Sequence, residues 1–191
     1  MSREQERPEI RPAALADCAS LARVQVDSYR SAYGSLLPPS WLGQFSYEEQ
    51  ESDWEEQLNS GRDDILLVAV DSEGAVAGYV LARASPDIYP GYDAEVVALH
   101  VRQPRQRHRL GSRLLLAALK ELERRGCRSV MLWTLLGNPV QRWYERLGGT
   151  VLAQKCGPVE GWQVTDVAYG WPSLSELQSA LASAGARSLA A

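Results

Sequence analysis

"AEVVALHVRQPRQRHRLGSRLLLAAL", residues 94–119, passes from a short apolar run through a turn crowded with arginine into a leucine-rich segment. Residues 94–101 have the length and the valine content of a buried strand. From Leu110 onward the leucines and alanines recur at helical spacing, and the run closes on Arg124, Arg125 and Gly126, the cations and glycine that end a helix. A strand leading through a short turn into a long helix aims several unpaired backbone N–H groups, and the positive end of the helix dipole, at one point. That point suits a diphosphate. Arg102, Arg105, Arg107, Arg109 and Arg113 surround it, and guanidinium groups pair well with phosphate. Gly111 and Ser112 at the helix entrance let a ligand come close to the backbone. Read as a plain solvated loop, the same arginines sit unfavourably, because cations at a helix start oppose the dipole.

Working outward, "PEIRPAA" opens as a strand and "LADCASLARVQVDSYRSAY" (15–33) carries apolar residues near helical spacing. Gly34, Pro38 and Pro39 break that helix, and "SYEEQESDWEEQL" resumes one, with Ser46 and Glu49 in capping-box register. Two β-rich runs, 64–70 and 75–84, flank the tight polar turn "DSEG" and predict a hairpin. "SPDIYPGYD" (85–93) reads as a loop. Downstream of the long helix, "SVMLWTL" is a buried-strand candidate, "NPVQRWYERLG" a short helix closed by Gly148, and "TVLAQKC" with "TDVAYGW" a final strand pair. The order β-α-α-β-β-β-α-β-α-β-β predicts an α/β (mixed α+β) sheet with helices on its faces. "SLSELQSALASAGARSLAA" (173–191) reads as an Ala-rich helical tail that frays beyond a single domain over 1–172.

At 191 residues, 45% hydrophobic and 23% charged, the chain is long enough for one compact domain. A net charge of −4 argues against a protein that coats nucleic acid, and no aromatics interleave with the arginines. Cys18, Cys127 and Cys156 are odd in number and form no CxxC pair, which suits a reducing compartment. The polar start "MSREQERPEI" has no apolar stretch for a signal peptide, and no window approaches the roughly 20 apolar residues of a membrane span. These features predict a cytoplasmic protein with neither nucleic-acid nor membrane partners.

The 94–119 stretch resembles the acetyl-CoA-binding core of the GNAT superfamily of N-acetyltransferases. In that family an acidic strand residue, an LxV strand end and a Q/R-x-x-G-x-G/A turn open a long helix. Here Gln106 takes the first place of the turn, Gly111 the last, and Arg109 stands where the middle glycine is usual. "GNPVQRWYERLGG" (137–149) is similar to the superfamily's N-x-x-A-x-x-F-Y-E-x-x-G helix, although Asn138 lies six residues before Tyr144 rather than the usual seven. The resemblance spans about Pro8 to Trp171. It implies the GNAT fold: a largely antiparallel, twisted sheet of six to seven strands with helices on both faces.

The resemblance also implies a chemistry. Acetyl transfer from a thioester to an amine needs a neutral amine, polarisation of the carbonyl and a proton for the departing thiolate, but no protein nucleophile or metal. The family pattern puts the pantetheine arm of acetyl-CoA between the strand ending in "ALHV" and the strand "SVMLWTL", against backbone N–H groups of Leu99, His100 and Val101. It assigns the diphosphate to Gln106, Arg107, His108, Arg109, Leu110, Gly111, Ser112 and Arg113, a pantetheine contact to Asn138, the general acid to Tyr144 and the base to Glu95. Each has a plainer alternative: Tyr144 as a core tyrosine with a satisfied hydroxyl, Glu95 as a rim carboxylate, His100 as a packed ring, His108 as polar lining. Alternation puts residues 95, 97 and 99 on one strand face and His100 on the other.

Tyr33, Trp41, Trp54, Tyr89, Tyr92, Asp93 and Trp162 are candidates for the wall of an acceptor site, where a small-molecule or peptide amine rests on ring faces. A homodimer is the oligomer the resemblance suggests. The competing functions are a non-catalytic acyl-CoA sensor of the same fold and an arginine-based nucleic-acid patch.

Overall fold

The computed structural model describes residues 8–187; the polar segment 1–7 and the end of the tail, 188–191, lie outside the described residues. Seven strands form one sheet in the order β1-β2-β3-β4-β5-β7-β6. They are β1 (Glu9–Pro12), β2 (Ile65–Val70), β3 (Val76–Tyr89), β4 (Tyr92–Val101), β5 (Val130–Leu135), β6 (Thr150–Val159) and β7 (Trp162–Trp171). Every neighbouring pair is antiparallel except β4 with β5. Among the described residues the α-helices are α1 (Cys18–Tyr33), α2 (Pro39–Gly43), α3 (Tyr47–Asn59), α4 (Leu110–Arg124), α5 (Gln141–Arg146) and α6 (Leu174–Arg187). The mixed sheet with helices on both faces is the fold that the sequence predicts.

Local chemistry sets the boundaries. Ser46 Oγ accepts the Glu49 N–H at 3.1 Å and caps α3. Asp71 Oδ1 accepts the N–H groups of Glu73 and Ala75, closing the β2–β3 turn. In α4, Leu110, Leu114, Leu115, Ala118, Leu119 and Leu122 form one buried stripe against β2, β3 and β4. On the opposite face, Leu21, Ala22 and Val24 of α1 and Trp54 of α3 pack on Val68, Tyr79 and Leu81.

Three expectations are corrected. Residues 85–89 and 92–93 extend β3 and β4 as strand rather than loop, because Pro90 and Gly91 form the tight turn and Tyr89 pairs with Tyr92 across it. α6 is not a frayed appendage: Leu174, Leu177 and Leu181, at helical spacing, are buried in the same core as α4, and the Leu174 N–H bonds Arg128 O at 2.7 Å. The alternation along β4 is broken by a bulge. Register runs Arg83↔Glu95 and Ala82↔Val96, then shifts so that Leu81 faces Ala98 and Tyr79 faces His100. One extra residue in β4 reverses the facing of everything beyond it. Glu95 and His100 therefore share the face covered by α1, contrary to the simple alternation.

Candidate active site

β4 and β5 run parallel but pair at a single position, Glu95↔Met131. Beyond it the strands diverge, and Val97 in the opening is 40% exposed despite lying mid-sheet. The Arg102 N–H donates to Ala77 O at 2.9 Å. Hydrogen-bonded pairs recur every second residue in an antiparallel ladder, so His100 directs its N–H toward Tyr79 in β3, whereas Leu99 and Val101 direct theirs toward the gap. Of the three expected amides, the register thus turns two to the gap and uses His100 in the ladder.

The gap leads to the N-terminus of α4. Arg113 is the first residue of this helix whose N–H reaches back, to Arg109 O, so the amides of Leu110, Gly111 and Ser112 are left for an anion. Gly111 is not small for the sake of packing: a Cβ there would meet only Val101 Cγ2, at an ordinary 3.8 Å. The space beside Gly111 is open, which allows the close approach that a diphosphate needs. Arg107 and Arg109 both have positive φ, 63° and 60°, so this turn takes the left-handed backbone that glycine normally supplies, with arginines in its place.

The surrounding cations divide into two sets. Arg105 pairs with Asp71 at 3.1 Å, and Arg113 Nη2 donates to Pro8 O at 2.6 Å, so both fasten the turn to the rest of the sheet. Gln106 Nε2 holds the Val101 carbonyl at 3.0 Å. Arg102, Arg107 and His108 are exposed beside the helix mouth.

Tyr144 lies on α5, within the core cluster that α4 also joins. It is 7% exposed, with its ring against Trp143, Tyr169 and Trp171. No hydrogen bond among the described residues uses its hydroxyl. Burial pushes its pKa well up, and nearby Tyr33 adds to the effect, so the phenol keeps its proton. Tyr33, at the end of α1, is pushed up to about 12 by burial, with Tyr29 and Asp166 contributing. Asn138 is buried at the entry to α5, where its Oδ1 accepts the Val140 N–H at 3.1 Å. That oxygen is a local cap, which leaves the amide nitrogen as the group able to meet a ligand.

On the α1 face, the His100 ring lies 5.4 Å from the centroids of both Tyr29 and Tyr79. Burial lowers its pKa to about 4, so it is neutral and packed. Glu95 is half-buried, and burial raises its pKa against the opposing pull of Arg83 and Lys155. Arg83 is held by Asp64 at 3.0 Å.

The predicted acceptor wall is dispersed. Trp54 is core, edge-on to Tyr79, and Asp93 accepts the N–H groups of Arg128 and Ser129, pinning the start of β5. Tyr89 bonds Leu152 O, and Trp41 packs on Phe45. Trp162 is 46% exposed at the start of β7. Of this set, Tyr33 is the residue with an electrostatic influence on Tyr144. Sequence reading missed Tyr29, Trp133, Lys155 and Asp166. Tyr29 and Tyr33 stand four apart in "DSYRSAY", one face of a helix, and that spacing was the available signal.

Strands that part beyond a single pairing, with two amides turned to the gap and an open helix N-terminus beside it, suit an acyl-transfer enzyme. A family model described as the acetyltransferase (GNAT) family matches residues 28–149, and the chain belongs to that family. It is 30% identical over 172 residues to the uncharacterized N-acetyltransferase YuaI of Bacillus subtilis strain 168, covering 90% of this chain and 97% of that protein. Among solved structures, it resembles paiA N-acetyltransferase from Thermoplasma acidophilum in complex with coenzyme A (TM-score 0.62, 19% identity, covering 85% of this chain and 98% of that one). It also resembles yncA from Salmonella typhimurium with its cofactor acetyl-CoA (TM-score 0.64, 22% identity, 87% and 94%). The protein is thus an acyltransferase of the N-acetyltransferase class. Among the described residues, no helix is long and apolar enough to cross a membrane, and no group of three or more His, Cys, Asp or Glu is placed to hold a metal ion.

Proposed function

We propose that the chain moves an acetyl group from acetyl-CoA to a primary amine, on a small molecule or a peptide, by direct attack within a ternary complex. The observation that carries this reading is the gap beyond Glu95↔Met131, with the Leu99 and Val101 amides directed into it. When bound, acetyl-CoA supplies an acetyl thioester whose carbonyl is open to attack by an amine. Leu99 and Val101 would hold the pantetheine arm along β4, Asn138 would meet it from α5, and residues 106–113 would hold the diphosphate through the α4 amides and Arg107.

Glu95, with its pKa raised by burial, is a better proton acceptor than an exposed carboxylate and takes the proton of the incoming ammonium, directly or through water. The Tyr144 hydroxyl, which no hydrogen bond among the described residues uses, donates to the departing thiolate. Tyr33 offers a ring face to a cationic acceptor.

The test is amine-dependent release of CoA thiol over a panel of small amines, amino-acid derivatives and peptides, with wild type and Tyr144→Phe. Removing a transition-state proton donor lowers kcat by about 100-fold and leaves affinity for acetyl-CoA unchanged. Loss of affinity with unchanged turnover would assign Tyr144 to binding or packing instead.

A further inference from the structure

The chain carries two lysines against eighteen arginines; both are exposed, and Lys155 is held against an aromatic ring. Lys120 is exposed on α4. Lys155 lies on β6, opposite Asp166 of β7, which in turn lies opposite Leu135 of β5. Its side chain crosses β7 and sets Nζ 4.4 Å from the centroid of the Trp133 ring on β5, the strand that borders the gap. Glu95, on the other side of that gap, and Asp166 both feel its charge. A primary amine of the chain itself is thereby held on the ring of Trp133, on the strand that borders the gap where the acetyl thioester is proposed to bind.

We propose that Lys155 is a self-acetylation site of this enzyme, modified at Nζ by the acetyl-CoA bound in the same molecule. The proposal rests on the acyl-transfer reading above. Nζ gives one proton of its ammonium to the Glu95 carboxylate, and its lone pair forms a bond to the acetyl carbonyl carbon. The C–S bond breaks, Tyr144 protonates the leaving thiolate, and the nitrogen's second proton passes to solvent. Water then reprotonates Tyr144, and Glu95 releases its proton. The products are Nε-acetyl-Lys155, free CoA and one proton in net. The acetylated side chain has no charge to share with Glu95 and Asp166 and leaves the Trp133 face, so modification alters the surface offered to an acceptor.

The test uses the purified full chain with acetyl-CoA and no acceptor, followed by intact mass and peptide mapping, with calorimetric titration of acetyl-CoA in parallel. The expected result is one 42 Da addition mapping to Lys155, at least tenfold faster than at Lys120, with a first-order rate independent of protein concentration. It is lost in Lys155→Arg and persists in Cys156→Ser, which removes the neighbouring exposed thiol as a relay. Equal rates at Lys120 and Lys155, loss in Cys156→Ser, or acetyl-CoA binding without an adduct at Lys155 each overturn the proposal while leaving the proposed function standing. Absence of binding removes both.

Discussion

Between the rings of Tyr29 and Tyr79, the His100 imidazole has its pKa lowered to about 4 by burial. In the unfolded chain it titrates near 6.5. Above that value both states are neutral and His100 makes no pH-dependent contribution. As pH falls from about 6.5 toward 4 the unfolded state takes up a proton that the folded state refuses, so stability falls by as much as about 1.4 kcal/mol per pH unit from this residue. Denaturant melts at pH 7, 6 and 5 should therefore show a shallower acid loss in His100→Phe than in wild type; equal losses would mean that the ring is freely protonated in the fold. At this scale the motifs single out Tyr144 and Glu95 as candidates through the family resemblance, and the proposed test decides their roles. The common facing of Glu95 and His100 was not legible in the sequence. Val96 and Val97 are both apolar, and nothing in "AEVVALHV" tells which of them is the bulged residue.

The α4 entrance shows how an element can keep its geometry while losing its usual residues. Arg107 and Arg109 hold left-handed backbone, which costs an ordinary residue roughly 1–2 kcal/mol. Glycine removes that cost and returns roughly 0.5–1 kcal/mol of it as extra freedom in the unfolded chain. The exposed Arg107→Gly variant is therefore expected to gain about 0.5–1 kcal/mol of stability while binding CoA severalfold more weakly if Arg107 contacts phosphate as proposed. Thermal melts and a CoA titration of that one variant check both signs, and a gain in stability with unchanged affinity would remove Arg107 from the cradle. The turn itself was readable from strand, arginines and helix in sequence. Which arginines serve the sheet was not, since the Asp71 partner of Arg105 and the Pro8 carbonyl that holds Arg113 lie far away along the chain. The β3–β4 hairpin was misread for a related reason: Pro86, Pro90 and Gly91 signal a loop, yet the pairing of Tyr89 with Tyr92 carries the strands through it.

For the whole molecule, the strand and helix order could be read because each element carries its own periodicity, and the two faces follow from it. The role of the last helix could not, since an Ala-rich segment shows its worth only when Leu174, Leu177 and Leu181 meet the core beside α4. Leu177 is 1% exposed, and Leu177→Ala is expected to cost 2–5 kcal/mol, about the value for a core leucine, measurable by denaturant unfolding. A change under about 0.5 kcal/mol would make α6 the dispensable tail that its composition suggests. The parting of β4 from β5 is likewise a property of the assembled sheet, and the functional account depends on it most.

The direct measurement is a calorimetric titration with acetyl-CoA, CoA and dephospho-CoA at low and raised salt, for wild type and Gly111→Asp. The account predicts saturable binding that weakens with salt and with loss of the 3′-phosphate, and no binding in a Gly111→Asp protein that retains its melting temperature. Failure of the wild type to bind, or unchanged affinity in Gly111→Asp, would contradict it.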